Sequence, residues 1–460
     1  MVRGTLGIVC AAILLSALTL AVSPIHALSA DLPKSTQEML QKLKVGSGVL
    51  MDLDAALNLP KSILDSAKKA GPIRIGDTNR PKQFRNMVRP FHERYPWAEI
   101  SYARSNRYDR VIKPLMAFKS GKVITDLIVN LGGNAFQFRK LNALVNIDDL
   151  PAYKQLPEVM KSPRGDYAGH GLVTACFAYN TKKVKKAELP KIWEDVVSSK
   201  RWAGGNLALL NRPDYWALHL RAAKGQEWTK DYLTRLFVGL KPQLRKEANS
   251  AAMQLLGAGE FDALIAGTVN RASGLVKKGS PVYIHCPDPV IPTLISSAGI
   301  IKGGNEAGAK LYLNWYLSRE GQLAKFYSTH KEPLYPDLRK AGLDVLPDLK
   351  LDESKRVYTG EDQYRDEEKD LFKFWKVLWL KQTGEKTMKV TAKISDVKRG
   401  GRRYHFKVDG KEQKVRVSSS KTVVLINGNR AARDAVEKGM TCEISYPGND
   451  LTAKEVSCKK

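Results

Sequence analysis

Along residues 71–100 the apolar positions change rhythm twice. Residues 72–75 read as a short strand and 76–79 as a tight loop. From Arg80 to Arg94 the apolar Phe84, Met87, Val88 and Phe91 then recur at helical spacing. Pro90 lies inside that run and predicts a kink or an early end. Pro81 suits the first helical turn, with Thr78 or Asn79 as N-cap, and residues 98–102 read as the next strand. Strand, loop and helix in this order make one unit of an open α/β sheet. Ligands bind such sheets at the carboxyl ends of strands, where helix N-termini offer unpaired N–H groups. The 76–79 loop is therefore expected to form one wall of a binding site, the alternative being an ordinary connection.

The pattern continues in the same manner. A helix is expected over 109–120, with Pro114 in its first two turns, and a buried strand over 123–130. A second loop follows at 131–134, where two glycines allow close backbone approach. Strands at 172–179 and 206–210, a third loop at 211–216 and helices near 215–224, 231–240 and 250–257 lead to a strand at 261–266. A fourth loop occupies 267–271. Strands at 282–286 and 294–301 carry the chain back, and helices cover 306–317 and 320–326. The expectation is an α/β fold of two lobes, 31–178 with the return segment 282–345, and 179–281. They are joined by crossing strands as a hinged cleft.

Beyond residue 345 the chain changes character. Residues 345–369 are charged and read as a surface excursion. Residues 371–380 are strongly apolar but carry Lys373 and Lys376, which suits a helix docked on its own domain better than one lying on a membrane. Residues 386–460 read as a separate β module of five strands and a helix at 430–438, a small OB-like barrel with turns at 399–401, 409–410 and 427–428. This module holds 18 Lys and Arg against 8 Asp and Glu, so it alone carries +10.

At 460 residues the chain is too long for one core. Arg3, the apolar run 6–22 and the small residues Ala27 and Ala30 make residues 1–30 a secretory signal peptide. A retained anchor is the rival, since a run of roughly 17 residues is at the lower limit for crossing a bilayer. Export to the periplasm would leave four cysteines in an oxidising compartment. Cys442 and Cys458 are expected to pair, whereas Cys176–Cys286 is left open. The net charge of +28 points to anionic surfaces or small anionic solutes. Nucleic acid is not expected, because the lysines are spread along the chain and no nucleic-acid motif stands out. No nucleophile-elbow, phosphate-loop, zinc-protease or dinucleotide motif appears in a fitting context, so neither an enzyme nor a cofactor is expected. His170, His219 and His285 cannot be assembled into a triad.

Several stretches, specific in their order and spacing, then carry a resemblance over residues 62–340. They include AKKAGPIRIGDT (67–78), FHERYPWAEI (91–100), FAYNTKKV (177–184), GAGEFDALIAG (257–267) and SAGIIKGGNEAGAKLYLNWYLSREGQLAKF (297–326). The chain resembles the periplasmic solute-binding proteins of bacterial ABC importers, in the branch that includes ferric-iron binders. That resemblance implies a two-lobe periplasmic-binding fold (type II-like), a small solute or ion held in the cleft, and delivery to an ABC permease by a monomer. Ferric-iron binders of this branch carry adjacent tyrosines after the strand matching 261–266. Here the loop ends in Asn270 and Arg271, and a permanent cation suits a carboxylate or phosphate better than Fe³⁺.

The candidate ligand-binding residues are Thr78, Asn79, Gly133, Asn134, Tyr179, Tyr215, Trp216, Asn270 and Arg271. Their competing roles are helix capping for Thr78 and the asparagines, hinge packing for Tyr179, core packing for Tyr215 and Trp216, and a surface ion pair for Arg271. The competing functions are a ferric-iron carrier of the same fold and an envelope adaptor or sensor acting through the basic module.

Overall fold

The computed structural model describes residues 32–106, 108–346, 348–359, 366–383, 388–419 and 421–459. The expected signal peptide lies outside the described residues. Ten strands build the body: β1 Ile73–Asp77, β2 Ile100–Arg104, β3 Leu127–Val129, β4 Ala168–Asn180, β5 Leu207–Leu210, β6 Gln243–Arg245, β7 Ala263–Thr268, β8 Val282–His285, β9 Ile291–Ile300 and β10 Arg356–Tyr358. Their order is β2-β1-β3-β9-β4-β7-β5-β6, with β10 beside β9 and β8 beside β4.

The 13-residue β4 explains how one run of strands makes two lobes. Ala168 to Thr174 pair with β9, whose far end pairs with β3 in lobe 1. From Ala175 onward the same strand pairs with β7 and β8 in lobe 2. The crossing point is marked by Thr174 on β4 and Thr293 on β9. Both accept a hydrogen bond from the buried guanidinium of Arg356, at 2.7 and 3.2 Å. Arg356 is also paired with Glu332 at 2.9 Å and Glu353 at 3.1 Å. The charged stretch expected to lie on the surface therefore contributes a strand and a buried cation to the hinge. A charge is tolerated there because every face of it is paired.

Each lobe buries its strands on both faces, which gives continuous apolar runs rather than alternation. In lobe 1, Ile73, Ile75 and Leu127 face Phe84, Phe91, Tyr312 and Trp315, while Ile128 faces Val111, Leu115 and Phe138. In lobe 2, Leu207 and Leu209 face Trp193, Trp202 and Trp216, and Ala208 and Leu210 face the opposite layer. The helix expected from Arg80 is broken as Pro90 requires, into Pro81–Met87 and Arg89–Arg94. Its N-cap is Arg80 rather than Thr78 or Asn79, and Gln83 accepts the Arg80 N–H at 3.1 Å. Pro114 has a comparable effect, dividing the next helix into a wide turn, Tyr108–Ile112, and Lys113–Lys119.

The apolar helix Glu368–Thr383 docks on lobe 2. It buries Leu371, Trp375, Leu378 and Trp379 against Trp216 and Phe237. Trp375 Nε1 donates to Asn211 Oδ1 at 2.8 Å. Replacing Trp375 with phenylalanine removes that bond and part of the ring while keeping the face apolar. The expected cost is about 1–2 kcal/mol, read as a lowered midpoint in chemical denaturation.

The C-terminal module has seven strands, β11 Met388–Lys398, β12 Arg403–Val408, β13 Lys411–Arg416, β14 Val423–Ile426, β15 Asn429–Arg430, β16 Thr441–Tyr446 and β17 Glu455–Lys459. They run β13-β12-β11-β16-β17-β14-β15. The sheet curls back on itself because Arg416, at the end of β13, exchanges backbone hydrogen bonds with Leu451 and Ala453 just before β17. Asp409-Gly410 and Asn427-Gly428 all have positive φ, as two-residue hairpin turns need. The helix expected over 430–438 is absent. Only the short turn Arg433–Ala435 forms, since the Arg433 carbonyl is taken by the Tyr404 hydroxyl instead of a helical N–H. Cys442–Cys458 joins β16 to β17 and Cys176–Cys286 joins β4 to the end of β8.

Candidate functional site

The carboxyl ends of β1 and β2 lie side by side, because the two strands are parallel and Asp77 stands opposite Arg104. Asp77 is buried and fully engaged. It accepts the Thr78 N–H at 2.6 Å, the Asn79 amide at 2.6 Å and the Asn130 amide at 2.8 Å. These bonds fix the loop that leads into Pro81–Met87. The Tyr102 hydroxyl, donating to the Asn79 carbonyl at 2.7 Å, holds it from the other side.

Lobe 2 presents a matching edge. β7 runs two residues further than the pattern predicts, so Asn270 and Arg271 lie in the first turn of the helix Val269–Val276 rather than in a loop. Asn249, at the start of the helix Asn249–Ala258, bridges this edge. Its amide donates to the Ala266 carbonyl at 2.7 Å, and its oxygen accepts from Thr268 at 3.1 Å. Ala266 is held at a φ of 67°, a conformation that costs a non-glycine residue energy. Such a position persists only where its surroundings enforce it.

Between these edges is a cavity of about 110 Å³. Lobe 1 lines it with Thr78, Asn79, Arg80, Gln83 and Arg104, and lobe 2 with Ser250, Asn270 and Arg271. Thr329 and Lys331 complete it from the chain leaving the helix Arg319–Thr329. The structure thus brings Thr78, Asn79, Asn270 and Arg271 together. A larger, open depression of about 640 Å³ lies elsewhere on lobe 1, around Asp54, Asn58, Glu93 and Tyr95. No lobe 2 residue reaches it, so it is not the interlobe site.

The electrostatics of the small cavity are one-sided. Arg80, Arg104, Arg271 and Lys331 form no salt bridge among the described residues. Arg271 is destabilised as a cation by burial, and the neighbouring Arg80 and Arg104 add to this while Tyr215 opposes it. Burial also lowers the Lys331 pKa; Asp77 opposes that, and Arg271 and Arg110 reinforce it. Behind Lys331 lies the fully buried Lys325, whose ammonium donates to the His170 carbonyl and stands 3.3 Å from His170 Nδ1. It fits because Gly171 has no Cβ to crowd the nitrogen. Burial, with Lys331 adding to it, holds Lys325 well below the usual lysine range.

The other candidates are placed elsewhere. Trp216 is fully buried in lobe 2, stacked on Trp193 with ring centroids 5.9 Å apart and meeting Trp375 edge-on. Tyr179 is buried edge-on against Tyr283. Both are large apolar rings on elements with two covered faces, so packing claims them. Tyr215 lies within electrostatic reach of Arg271 but outside the lining, with the Arg212 guanidinium 3.9 Å over its ring. Asn134 uses its amide on the Leu131 carbonyl at 2.8 Å, and Gly133 sits in the same tight turn, Gly132–Asn134. The residues that the pattern did not single out are Arg80, Gln83, Arg104, Ser250, Thr329 and Lys331.

No group of three or more His, Cys, Asp or Glu side chains able to hold a metal comes together among the described residues. No helix among them is long and apolar enough to cross a membrane.

A family model described as bacterial extracellular solute-binding protein matches residues 86–338. No curated protein matches the chain. Among solved structures, the chain is similar to iron-bound HitA from Pseudomonas aeruginosa, at 16% identity and a TM-score of 0.56, covering 67% of this chain and 99% of that one. It is also similar to the Trichodesmium protein solved in complex with iron and citrate, at 18% identity and 0.55, covering 67% and 99%. A third neighbour is AfuA from Actinobacillus pleuropneumoniae with fructose-6-phosphate bound, at 18% identity and 0.52, covering 68% and 98%.

Proposed function

The match spans more than half of the chain, so it belongs to the bacterial extracellular solute-binding proteins, and we propose that its cargo is a small anion gripped between the two lobes. The family's role is capture of a solute for an ABC importer, whose permease is the partner. The observation that carries the anionic reading is the set of four cations, from both lobes and the return segment, facing one cavity without a carboxylate partner among the described residues. Such charges repel one another while the cavity is empty, and an anion between them turns that repulsion into attraction across the hinge. Two neighbours are solved with anionic compounds, citrate and a sugar phosphate. A bare ferric ion suits this cavity poorly, since guanidinium and ammonium groups cannot ligate it.

Further parts of this reading are that residues 1–30 direct export to the periplasm, that the protein acts as a monomer and without nucleic acid, and that it catalyses no reaction. No residue of the C-terminal module reaches the cavity, which supports an accessory role for the module. Calorimetric titration of the purified chain with inorganic phosphate, methyl phosphate, methyl sulfate, acetate, citrate, ferric citrate, ferric ion and spermidine tests the proposal. The expected result is binding of at least one anion, weakening as sodium chloride is raised. Binding of ferric ion or spermidine with no response to any anion would overturn it.

A further inference from the structure

Resting on the anionic reading above, we infer that the group held in the cleft is a phosphoryl dianion, the head of a phosphate monoester, rather than a single carboxylate or a sulfate ester. The argument begins with charge. Arg80, Arg104, Arg271 and Lys331 bring four positive charges to the cavity. The neighbouring carboxylate is Asp77, and its oxygens already accept from Thr78, Asn79 and Asn130. A monoanion would leave most of the positive charge uncompensated, whereas a dianion offsets twice as much.

Shape leads to the same class. The cavity is small, about 110 Å³, and closed in by both lobes, which suits one compact head group. A phosphoryl head presents three terminal oxygens pointing in different directions. The donors come from four chain segments on different sides of the cavity: Arg80 after β1, Arg104 on β2, Arg271 at the start of a lobe 2 helix, and Lys331 after the helix Arg319–Thr329. Arginine forks pair with two phosphate oxygens at once, and lysine adds a compact charge. The Ser250 hydroxyl lines the same space and supplies a neutral donor, whereas the Thr329 hydroxyl already donates to the Lys325 carbonyl at 2.7 Å.

The test compares methyl phosphate with methyl sulfate, which have similar size and shape but differ in charge near neutral pH, and with acetate. A phosphate monoester loses its second proton at a pKa of about 6, so its dianion fraction rises about tenfold between pH 5 and pH 7.5, whereas a sulfate monoester stays a monoanion. The charged groups facing the ligand are Asp77, Arg80, Arg104, Arg271 and Lys331, with Lys325 behind. Any titration among them acts on both ligands, so the ratio of the two affinities isolates the ligand's own charge. The expected result is that methyl phosphate binds more tightly than methyl sulfate and acetate at pH 7.5, and that its advantage over methyl sulfate shrinks about tenfold at pH 5. In the doubly substituted Arg80→Gln, Arg104→Gln chain, both exposed positions, the pH 7.5 advantage narrows while folding is kept. If methyl sulfate or acetate binds as well as methyl phosphate at pH 7.5, or the ratio does not move with pH, the dianion inference is overturned and the anionic cargo stands. If no anion binds at all, both fall.

Discussion

Arg271→Ala and Lys331→Ala are each expected to weaken capture of the anion by roughly 30-fold, about 2 kcal/mol, the lower end of what removing one partner of a desolvated charge pair costs. These two carry the largest share because burial already penalises both as cations. Lys331 is half-buried, whereas Arg271, like Arg80 and Arg104, keeps an exposed side chain where solvent screens part of the effect, so Lys331→Ala should be the larger of the two. The two substitutions act on one bound group, so their effects should be coupled by at least about 0.5 kcal/mol in a double-substitution cycle. The unliganded protein should melt no lower, because each change removes a like charge from a crowded set. Calorimetric affinity and the unliganded melting temperature are the two readouts. Unchanged affinity for every anion that binds the parent protein would move the site away from this cavity.

That cavity was partly legible from local pattern, and the parts that escaped have a common cause. Thr78, Asn79, Asn270 and Arg271 follow the rule that ligands meet the ends of parallel strands, and the structure brings them to one place. Arg104 obeys the same rule but was missed, because the apolar rhythm stops at Tyr102 and the strand continues to Arg104. Lys331 has no local signal at all. It reaches the site only because the return segment folds back over lobe 1, a contact that depends on the whole topology. Tyr179 and Trp216 sit beside predicted loops yet are absorbed by packing, since adjacency to a loop says nothing about which way a ring turns.

The lobes and their crossing strands were readable because buried strands there are unbroken apolar runs. β10 was not, since its three residues are embedded in charged sequence and its key side chain, Arg356, is itself an ion. A buried ion that is completely paired looks like a surface residue in the sequence. Pairing across the sheet, as at Arg356 with Glu332 and Glu353, is visible only in three dimensions. The 430–438 stretch shows the reverse error. Its composition tolerates a helix, but a tyrosine hydroxyl from β12 captures the carbonyl the helix would need.

Loss of the Cys176–Cys286 bridge should lower stability by about 4–5 kcal/mol, the chain-entropy cost expected for a loop of roughly 100 residues. The two cysteines are 110 residues apart, and the loop they close contains nearly all of lobe 2. The bridge ties β4, just past its crossing point, to the end of β8, so it confines the unfolded ensemble where the two lobes share a strand. A Cys176→Ala, Cys286→Ala chain should therefore melt on the order of 10 °C lower. Cys176 is fully buried and neither cysteine lines the cavity, so anion affinity measured well below the new midpoint should be unchanged. The bridge in the C-terminal module closes only a 16-residue separation, worth about 3 kcal/mol on the same scale, and it lies in a module with its own core. Removing that second bridge should leave the body's transition where it was. A thermal scan with an intrinsic-fluorescence probe reads the body, because six of the eight tryptophans, Trp193, Trp202, Trp216, Trp315, Trp375 and Trp379, are buried there. An unshifted body transition without Cys176 and Cys286 would mean that the lobe 2 loop is already ordered in the unfolded chain, whereas a lost affinity would mean that the bridge also sets the hinge.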